Sequence, residues 1–201
     1  KVYTGYNMRF HLLVQRMEDW LRANELLFVQ MMVGQHLSQW NRERSYHEMY
    51  RGSRAKGGGV LLDLSHELDL LGYFWPDRKV ESTLILSTGT LGVDVQDLAV
   101  LQGKIAPDCG FTVHLDYLQY YPCRNYRLIA QSSTLELDFF NHTIRESNME
   151  NLGELESLDY SYDDSIQLMH KSIIEESGDE SRACSFGKGL ELLHFIEEIS
   201  C

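Results

Sequence analysis

The sequence predicts an α+β fold: an open, mostly antiparallel sheet with helices covering one of its faces. Two observations predict it. Between residues 79 and 144, apolar and polar side chains alternate in several short segments, as is typical of strands that bury one face. Before and after that region, apolar residues recur at helical spacing. Helices on both sides of a block of strands indicate a layer of helices packed on one sheet face.

The beginning of the chain predicts a strand, a helix and a second strand. Residues 1–6 are predicted as a short strand, and residues 10–23 as an amphipathic helix. The apolar stripe of that helix consists of Leu13, Val14, Met17, Trp20 and Leu21. Residues 26–34 (LLFVQMMVG) are almost continuously apolar, which predicts a strand buried on both faces.

The glycines at 57–59 precede a segment that predicts one continuous helix from residue 60 to Trp75, because Pro76 stops it. Residues 79–144 then predict a meander of four or five consecutive strands. The clearest of them is the segment 111–117 (FTVHLDY), in which apolar and polar side chains alternate at every position.

The last part of the chain is predicted as an acidic surface loop at 146–164 and a helix at 164–176. A break at 177–181 and a final helix at 189–200 follow. We find no internal repeat and no low-complexity tract.

The formal net charge of −12 argues against a nucleic-acid-binding protein, because phosphate neutralisation needs clustered Lys and Arg. The charge is uneven. Residues 1–56 carry nine Lys and Arg against five Asp and Glu, whereas residues 146–180 carry eleven acids and one Lys. The first segment is therefore the expected wall of any cleft for an anionic ligand, although ordinary solvated surface charges explain the same pattern.

Nothing in the sequence predicts membrane insertion or export. There is no run of about eighteen apolar residues and no basic-then-apolar signal at the N-terminus, so we expect a cytoplasmic protein. Four scattered cysteines, with no pair at metal-ligand spacing, favour reduced thiols and no metal site. Because the chain begins at Lys1 on a predicted strand, we expect a piece of a longer polypeptide.

The segment GGGVLLDLSHELD at 57–69 is the most informative part of the sequence. Gly58 and Gly59 let the backbone approach a substrate closely, just before a helix start. Asp63 and His66 follow one turn apart, and a carboxylate that orients an imidazole is typical of a general base or acid. The alternative is a flexible glycine turn and a half-buried histidine satisfied by Asp63 or Asp69.

A second candidate is the polar loop between residues 38 and 56. It carries Arg42, Arg44, Tyr46, His47 and Arg51, which could grip an anionic or sugar ligand, with Tyr46 as the substrate contact. An exposed loop explains these residues equally simply. No G-x-G-x-x-G or phosphate-loop pattern is present, so the glycines are not a dinucleotide fingerprint.

Several segments resemble the C-terminal half of the glucose-fructose oxidoreductase and inositol dehydrogenase (Gfo/Idh/MocA) family. The specific one is GGGVLLDLSHELD at 57–69. Four further segments support the resemblance and occur in the same order as in the family: GYNMRFH at 5–11, VGQHLSQW at 33–40, SSTLELDFFNHTI at 132–144 and GLELLHFIEEI at 189–199. The resemblance covers essentially the whole chain.

The resemblance implies a two-domain enzyme, with an N-terminal Rossmann domain, absent here, that binds NAD or NADP. Residues 1–201 would then be a single domain for substrate binding and oligomerisation through its sheet. Carried over by motif, Asp63 and His66 are the acidic and imidazole members of the catalytic group. His66 follows Asp63 by three residues rather than the usual four, so the acid that serves it is open. The glutamate-lysine-proline triplet of the first domain is absent.

The same resemblance places Tyr6, Asn7 and Arg9 at the domain hinge, next to the cofactor. Two functions therefore stand. The first is the substrate-binding domain of an NAD(P)-dependent oxidoreductase that acts on a sugar-like or cyclitol hydroxyl or carbonyl. The second is a non-catalytic binding or oligomerisation module that does no redox chemistry on its own.

Overall fold

An eight-stranded sheet forms the framework of the protein. In the computed structural model, which describes residues 1–41, 43–174 and 180–200, the strand order is β3-β4-β5-β2-β6-β7-β8-β9. The strands are β2 (Leu26–Gly34), β3 (Lys79–Leu86), β4 (Leu98–Ala106), β5 (Cys109–Asp116), β6 (Cys123–Ala130), β7 (Thr134–Asp138), β8 (Thr143–Ser147) and β9 (Glu156–Ser157). Two further short strands, β1 (Tyr3–Thr4) and β10 (Cys184–Ser185), pair with each other outside this sheet.

The predicted open, mostly antiparallel sheet is confirmed, but the predicted continuous meander is wrong. Strand β2 lies between β5 and β6, parallel to β5 and antiparallel to β6, and so divides the region into two antiparallel groups. The local alternation of apolar and polar side chains predicts where each strand lies in the sequence, but not which strands pair with it. Only tertiary pairing could reveal the insertion.

Strand β2 buries one face rather than two. Val29, Met31 and Val33 are at most 3% exposed. On the opposite face Gln30 is exposed, and its neighbours Phe28 and Met32 are only partly buried. The expectation of a strand buried on both faces is therefore wrong, because the chain supplies helices to one face only.

A helical layer covers the inner face of the sheet, as predicted. It consists of α1 (Leu12–Ala23), α2 (Val60–Asp63), α3 (Ser65–Phe74), α4 (Tyr162–Ile174) and α5 (Phe186–Ile199). Buried side chains from α1, α2, α3, α5 and the inner sheet face form one apolar core. None of the helices within the described ranges is long and apolar enough to cross a membrane.

The helix predicted from residue 60 to Trp75 is divided in two. Leu64, with φ −101° and ψ 31°, leaves the helical conformation between α2 and α3. Its side chain is nevertheless 1% exposed, so the break keeps the apolar stripe in the core while turning the next residues relative to Asp63. The single helix of the sequence prediction is therefore wrong at this position.

The other helices match their predictions within a few residues. The final helix begins at Phe186 rather than at 189, because the Ser185 side chain caps it by accepting the Lys188 amide. Helix α4 ends at Ile174 within the described residues. The rest of the predicted helix to 176, and residues 177–179 of the predicted break, lie outside them.

A buried ion pair joins the segment after β1 to α3. The Arg9 guanidinium donates from Nε and Nη2 to the two oxygens of Asp69, at 2.8 and 2.6 Å. Arg9 and Asp69 are 3% and 4% exposed, and the guanidinium also lies over the Tyr73 ring at 4.8 Å. Although burial alone would lower the pKa of Arg9, the Asp69 carboxylate raises it overall. Arg9 thus stays charged.

Replacing Asp69 by Ala is expected to reduce the free energy of unfolding by about 3–5 kcal/mol, because it leaves the Arg9 charge buried without its carboxylate. The double variant Arg9→Met/Asp69→Leu should recover most of that loss. Urea unfolding followed by circular dichroism measures both. Asp19→Ala, which removes an exposed pair with Arg22, is the control and should cost less than about 1 kcal/mol. An Asp69→Ala variant as stable as the control would contradict the buried pair.

Candidate active site at the carboxyl ends of β2 and β5

Asp63, one of the candidate site residues, lies where two parallel strands end. Gly34 at the end of β2 lies opposite Asp116 at the end of β5. The chain leaves these strands into the loops at 35–59 and 117–122, and the second loop returns into β6. Side chains that follow the carboxyl ends of adjacent parallel strands meet at one edge of the sheet, where ligand sites of open sheets are found.

Backbone conformation requires glycine at positions 57 and 59, and close packing requires it at position 58. Gly57 and Gly59 have φ of 78° and 127°, which side-chain-bearing residues rarely adopt. Gly58 packs against the chain itself, because a Cβ there would lie 2.2 Å from the Tyr50 carbonyl oxygen. The close backbone approach predicted for Gly58 is therefore made with the loop at 50–51.

The Asp63 carboxylate is the centre of a polar cluster. Its side chain is 4% exposed and lies 2.7 Å from Arg51 Nε. It also accepts hydrogen bonds from the hydroxyls of Tyr50 at 2.6 Å and Tyr117 at 3.1 Å. Burial first, and then the Asp63 charge, raises the pKa of the Tyr117 hydroxyl. Both tyrosines therefore stay protonated donors, and the cluster fixes the carboxylate at the end of β5.

His66 lies in the first turn of α3 and is partly exposed. Its ring meets the Tyr6 ring edge-on, with centroids 5.4 Å apart, and its Nδ1 is buried without a hydrogen-bond partner. Burial, and secondarily the positive charge of Arg124, lowers the pKa of His66 to about 4. The imidazole is thus neutral near pH 7 and has an unused nitrogen.

Neither acid proposed as a partner for His66 is bonded to it in the described structure. Asp63 is bonded to Tyr50, Arg51 and Tyr117, and Asp69 to Arg9. The break at Leu64 removes the one-turn relation that the spacing of Asp63 and His66 suggested.

Sequence reasoning missed a buried polar group beside His66. Glu67 is 0% exposed, and its Oε1 accepts the Tyr126 hydroxyl at 2.8 Å and lies 2.9 Å from Arg124 Nε. Burial, followed by the Glu67 charge, raises the pKa of Tyr126 well above its usual value. The available signal was the position of Glu67 between Leu64 and Leu71 on the apolar stripe of the helix, where a charged residue needs a buried partner.

Arg124 also borders a cavity of about 210 Å³. Its lining residues are Met8, His11, Arg124, Phe139, Phe140 and His142. His11 is 3% exposed and caps α1, because its Nδ1 accepts the Leu13 amide at 3.1 Å. Burial, and then the charges of His142 and Arg124, lowers the pKa of His11 to about 4. The cavity therefore has aromatic walls, with Arg124 as its cation.

The residues predicted at the domain hinge are more buried than expected for cofactor contacts. Asn7 is 4% exposed and donates to the Ser165 hydroxyl at 2.6 Å. Arg9 is held by Asp69. Tyr6 is half-buried, and its hydroxyl donates to Ser65 at 3.2 Å, one residue before His66. Of the three, Tyr6 is the one in contact with His66.

Of the loop predicted to be basic and aromatic, Arg51 contacts the site and Tyr46 packs elsewhere. The Arg51 guanidinium bonds Asp63 and lies over the Trp40 ring at 4.6 Å. The Tyr46 hydroxyl donates to the Leu91 carbonyl at 3.2 Å, so its ring is packed. Arg42 lies outside the described residues.

An aromatic pair was also missed by sequence reasoning. The rings of His36 and Tyr120 stack with centroids 4.6 Å apart and planes 14° apart. Tyr120 and the adjacent Tyr121 are 78% and 82% exposed, in the loop that follows β5. Gln39 donates to the Tyr120 carbonyl at 2.6 Å and holds the two loops together. A flat, exposed aromatic surface thus flanks the end of β5.

Comparison with known proteins identifies this architecture. No protein-family model and no curated protein matches the sequence. Among solved structures, UDP-N-acetylglucosamine 3-dehydrogenase GnnA from Acidithiobacillus ferrooxidans is 14% identical with a TM-score of 0.69, over 97% of this chain and 59% of its own. Levoglucosan dehydrogenase in complex with NADH is 14% identical with a TM-score of 0.78, over 99% of this chain and 63% of its own.

A homolog of inositol dehydrogenase from Azotobacter vinelandii, complexed with NAD⁺, gives a TM-score of 0.63 at 14% identity, over 88% of this chain and 48% of its own. The chain has the fold of the C-terminal domain of Gfo/Idh/MocA-type oxidoreductases. It spans 48 to 63% of the length of these three structures. The family likeness and the fold class expected from the sequence are thereby confirmed.

The buried histidine His11 predicts how this domain responds to acid. In the folded protein the pKa of His11 is about 4, below its ordinary value of 6.5, so between these values the unfolded chain binds more protons. Stability is therefore lost as the pH falls from about 6.5 to 4. Protonation also removes the Nδ1 acceptor that caps α1.

We expect His11→Asn to lose less unfolding free energy between about pH 7 and pH 4.5 than the wild-type chain, because Asn keeps a cap acceptor but does not titrate. Urea unfolding at the two pH values measures the difference. His170→Asn, at an exposed position of α4, is the control and should behave as wild type. Equal losses in all three proteins would show that His11 is not the titrating group.

Proposed function

We propose that this chain is the substrate-binding domain of an NAD(P)-dependent oxidoreductase that acts on a sugar-like or cyclitol hydroxyl or carbonyl group. The observation that carries the proposal is the fold likeness over almost the whole chain to dehydrogenases of such substrates. The position of Asp63, which bonds Tyr117 at the carboxyl end of β5, agrees with it.

His66 is the proposed proton carrier. His66 is partly exposed, and its neutral imidazole can take the hydroxyl proton of an alcohol substrate, or return it to a carbonyl in the reverse direction. The Tyr6 ring packs edge-on against it, and burial, followed by the Arg124 charge, lowers its pKa and keeps it neutral. Hydride transfer is the chemistry that a bound nicotinamide supplies.

Asp63 is the proposed acidic member, in preference to Asp69. Both oxygens of Asp69 are bound by Arg9 in the protein interior. Asp63 instead lies beside the loop at 50–51 and the end of β5, where it can orient a substrate hydroxyl together with Tyr117. We assign it substrate orientation rather than a hydrogen bond to His66.

The described residues do not by themselves form a dinucleotide site. Asn7 and Arg9 are committed to interior partners, and the chain lacks a glycine-rich fingerprint. We therefore assign NAD or NADP to a preceding Rossmann domain, with Tyr6 as the residue of this chain nearest to it. We propose no metal.

The substrate side of the site is formed by the glycine turn and the aromatic surface. The Gly59 carbonyl accepts the Asp63 amide, Gly58 packs this turn against the loop at 50–51, and Tyr46 supports the same loop. The stacked rings of His36 and Tyr120 offer an apolar face of the kind that packs against the C–H face of a sugar ring.

Assembly through the outer face of the sheet is a second function that a separate observation favours. Leu84 and Leu86 on β3 are 51% and 41% exposed. They lie opposite Val100 and Leu98 on β4, which makes a continuous apolar patch on the face without helices. We propose that a second copy of this chain covers it. This role is compatible with the enzymatic one.

In an enzyme that contains this domain with its nucleotide-binding domain, His66→Ala is expected to lower turnover about 10²- to 10⁴-fold, because the proton carrier is lost. Steady-state rates with NAD⁺ and a panel of polyols and sugars measure the effect, and thermal unfolding confirms the fold. His194→Ala, at an exposed position of α5, is the control. Wild-type turnover in His66→Ala would exclude the proposed role.

The isolated chain is expected to form dimers and to show no measurable affinity for NAD(H). Sedimentation velocity should report a monomer for Leu84→Glu/Leu86→Glu, because charges on the patch oppose its burial. Leu168→Glu, at a similarly exposed leucine of α4, should leave the dimer intact. A wild-type monomer at all concentrations would contradict the assembly role, and micromolar NAD(H) binding would contradict the assignment of the cofactor to another domain.

A further inference from the structure

A cavity of about 320 Å³ lies between α3 and α5, away from the candidate active site. Its lining residues are Arg9, Leu68, Asp69, Gly72, Tyr73, Pro76, Arg78, Lys188, Glu191 and Leu192. Gly72 and Tyr73 are in the last turn of α3, whereas His66 is in its first. The lining runs along α3 from Leu68 to Tyr73 and includes neither His66 nor Asp63. The cavity is therefore a separate feature of the domain.

The cavity has an excess of positive charge. Arg9 and Asp69 neutralise each other in their bidentate pair. Arg78 and Lys188 make no ion pair with any carboxylate of the described residues, and Glu191 at the rim is exposed. Two cations thus face one carboxylate that is not bound to either of them.

The Arg78 guanidinium is held in a cradle rather than extended into solvent. It lies over the Phe195 ring at 4.3 Å, and its Nε is buried without a hydrogen-bond partner. A Cβ at position 72 would lie 2.9 Å from Arg78 Nη1, so the glycine provides the space that the guanidinium occupies. Burial lowers the pKa of Arg78, which Asp69 only partly opposes.

A partly buried cation whose charge Asp69 only partly matches is costly, and the cost is offset when an anion binds. We propose that this cavity is a binding site for a small anionic metabolite that carries a phosphate or carboxylate group. Arg78 binds the anion through its planar guanidinium, and Lys188 adds a second charge from the first turn of α5. The cavity volume leaves room for the rest of such a molecule beside the Tyr73 ring.

The site uses none of the residues to which we assign the redox chemistry, because Tyr6, Asp63 and His66 are not among its lining residues. Its recognition chemistry also differs. In the cluster around Asp63 the one cation, Arg51, is paired with the carboxylate, whereas in this cavity Arg78 and Lys188 form no ion pair with a described carboxylate.

Calorimetric titration of the 201-residue chain with inorganic phosphate tests the proposal, with sodium chloride holding the ionic strength constant. We expect one saturable site with a Kd on the order of 1 mM, since two charged contacts bind the anion at the surface of the domain. A parallel titration with succinate distinguishes a phosphate site from a carboxylate site. No saturable binding of either anion overturns the proposal.

Arg78→Gln is expected to raise the Kd about 10- to 100-fold, which corresponds to one lost charged hydrogen-bonding partner. Lys188→Gln, at an exposed position, should raise it less and leaves the fold unaffected. Lys79→Gln is the matched control, because Lys79 is exposed, adjacent in sequence and outside the cavity. Binding that is equal in Arg78→Gln, Lys188→Gln and Lys79→Gln places the anion elsewhere and overturns the proposal.

Gly72→Ala probes the cradle without changing any charge. The added methyl group displaces the guanidinium, so the Kd should rise as it does in Arg78→Gln. Thermal unfolding without phosphate confirms that the variant is folded. A folded Gly72→Ala variant with wild-type affinity would show that the position of Arg78 does not determine binding.

Discussion

The insertion of β2 between β5 and β6 is the constraint on which the rest of the structure depends. Because β2 runs parallel to β5, Gly34 and Asp116 end side by side and their loops leave from one edge of the sheet. The loop after β2 leads through the glycine turn to Asp63, and the loop after β5 begins with Tyr117, which bonds Asp63. A different strand order would separate these residues by several strand widths.

The helical layer extends this constraint to His66. The break at Leu64 lets α2 present Asp63 to the loop at 50–51 while α3 turns Glu67 and Leu68 into the core. Glu67 then contacts Tyr126 and Arg124 of β6. The positive charge of Arg124 contributes to the lowered pKa of His66. The Tyr126 hydrogen bond and the Arg124 ion pair to Glu67 join α3 to β6 at a defined position, which apolar contacts specify less well.

Much of the fold could be predicted because it depends on local periodicity. The helix at 12–23 and the strands after residue 79 follow directly from the spacing of their apolar residues. The suggested pairing of Asp63 with His66 is not found in the described structure, because that suggestion assumed an unbroken helix. Arg124 could not be predicted from the sequence, since nothing in its own segment (CRNYRLIA) distinguishes it from any arginine at the start of a strand.

The sequence by itself determined the α+β class, the position of the glycine turn and the types of residue available for chemistry, because these follow from short-range patterns and composition. Only the tertiary structure decided which residues meet: Asp63 with Tyr117, Glu67 with Arg124, and Arg78 with Phe195 over Gly72. The physical reason is that such contacts join residues far apart in the chain. They are set by strand order and by the one helix break, and neither is encoded in the periodicity of a single segment.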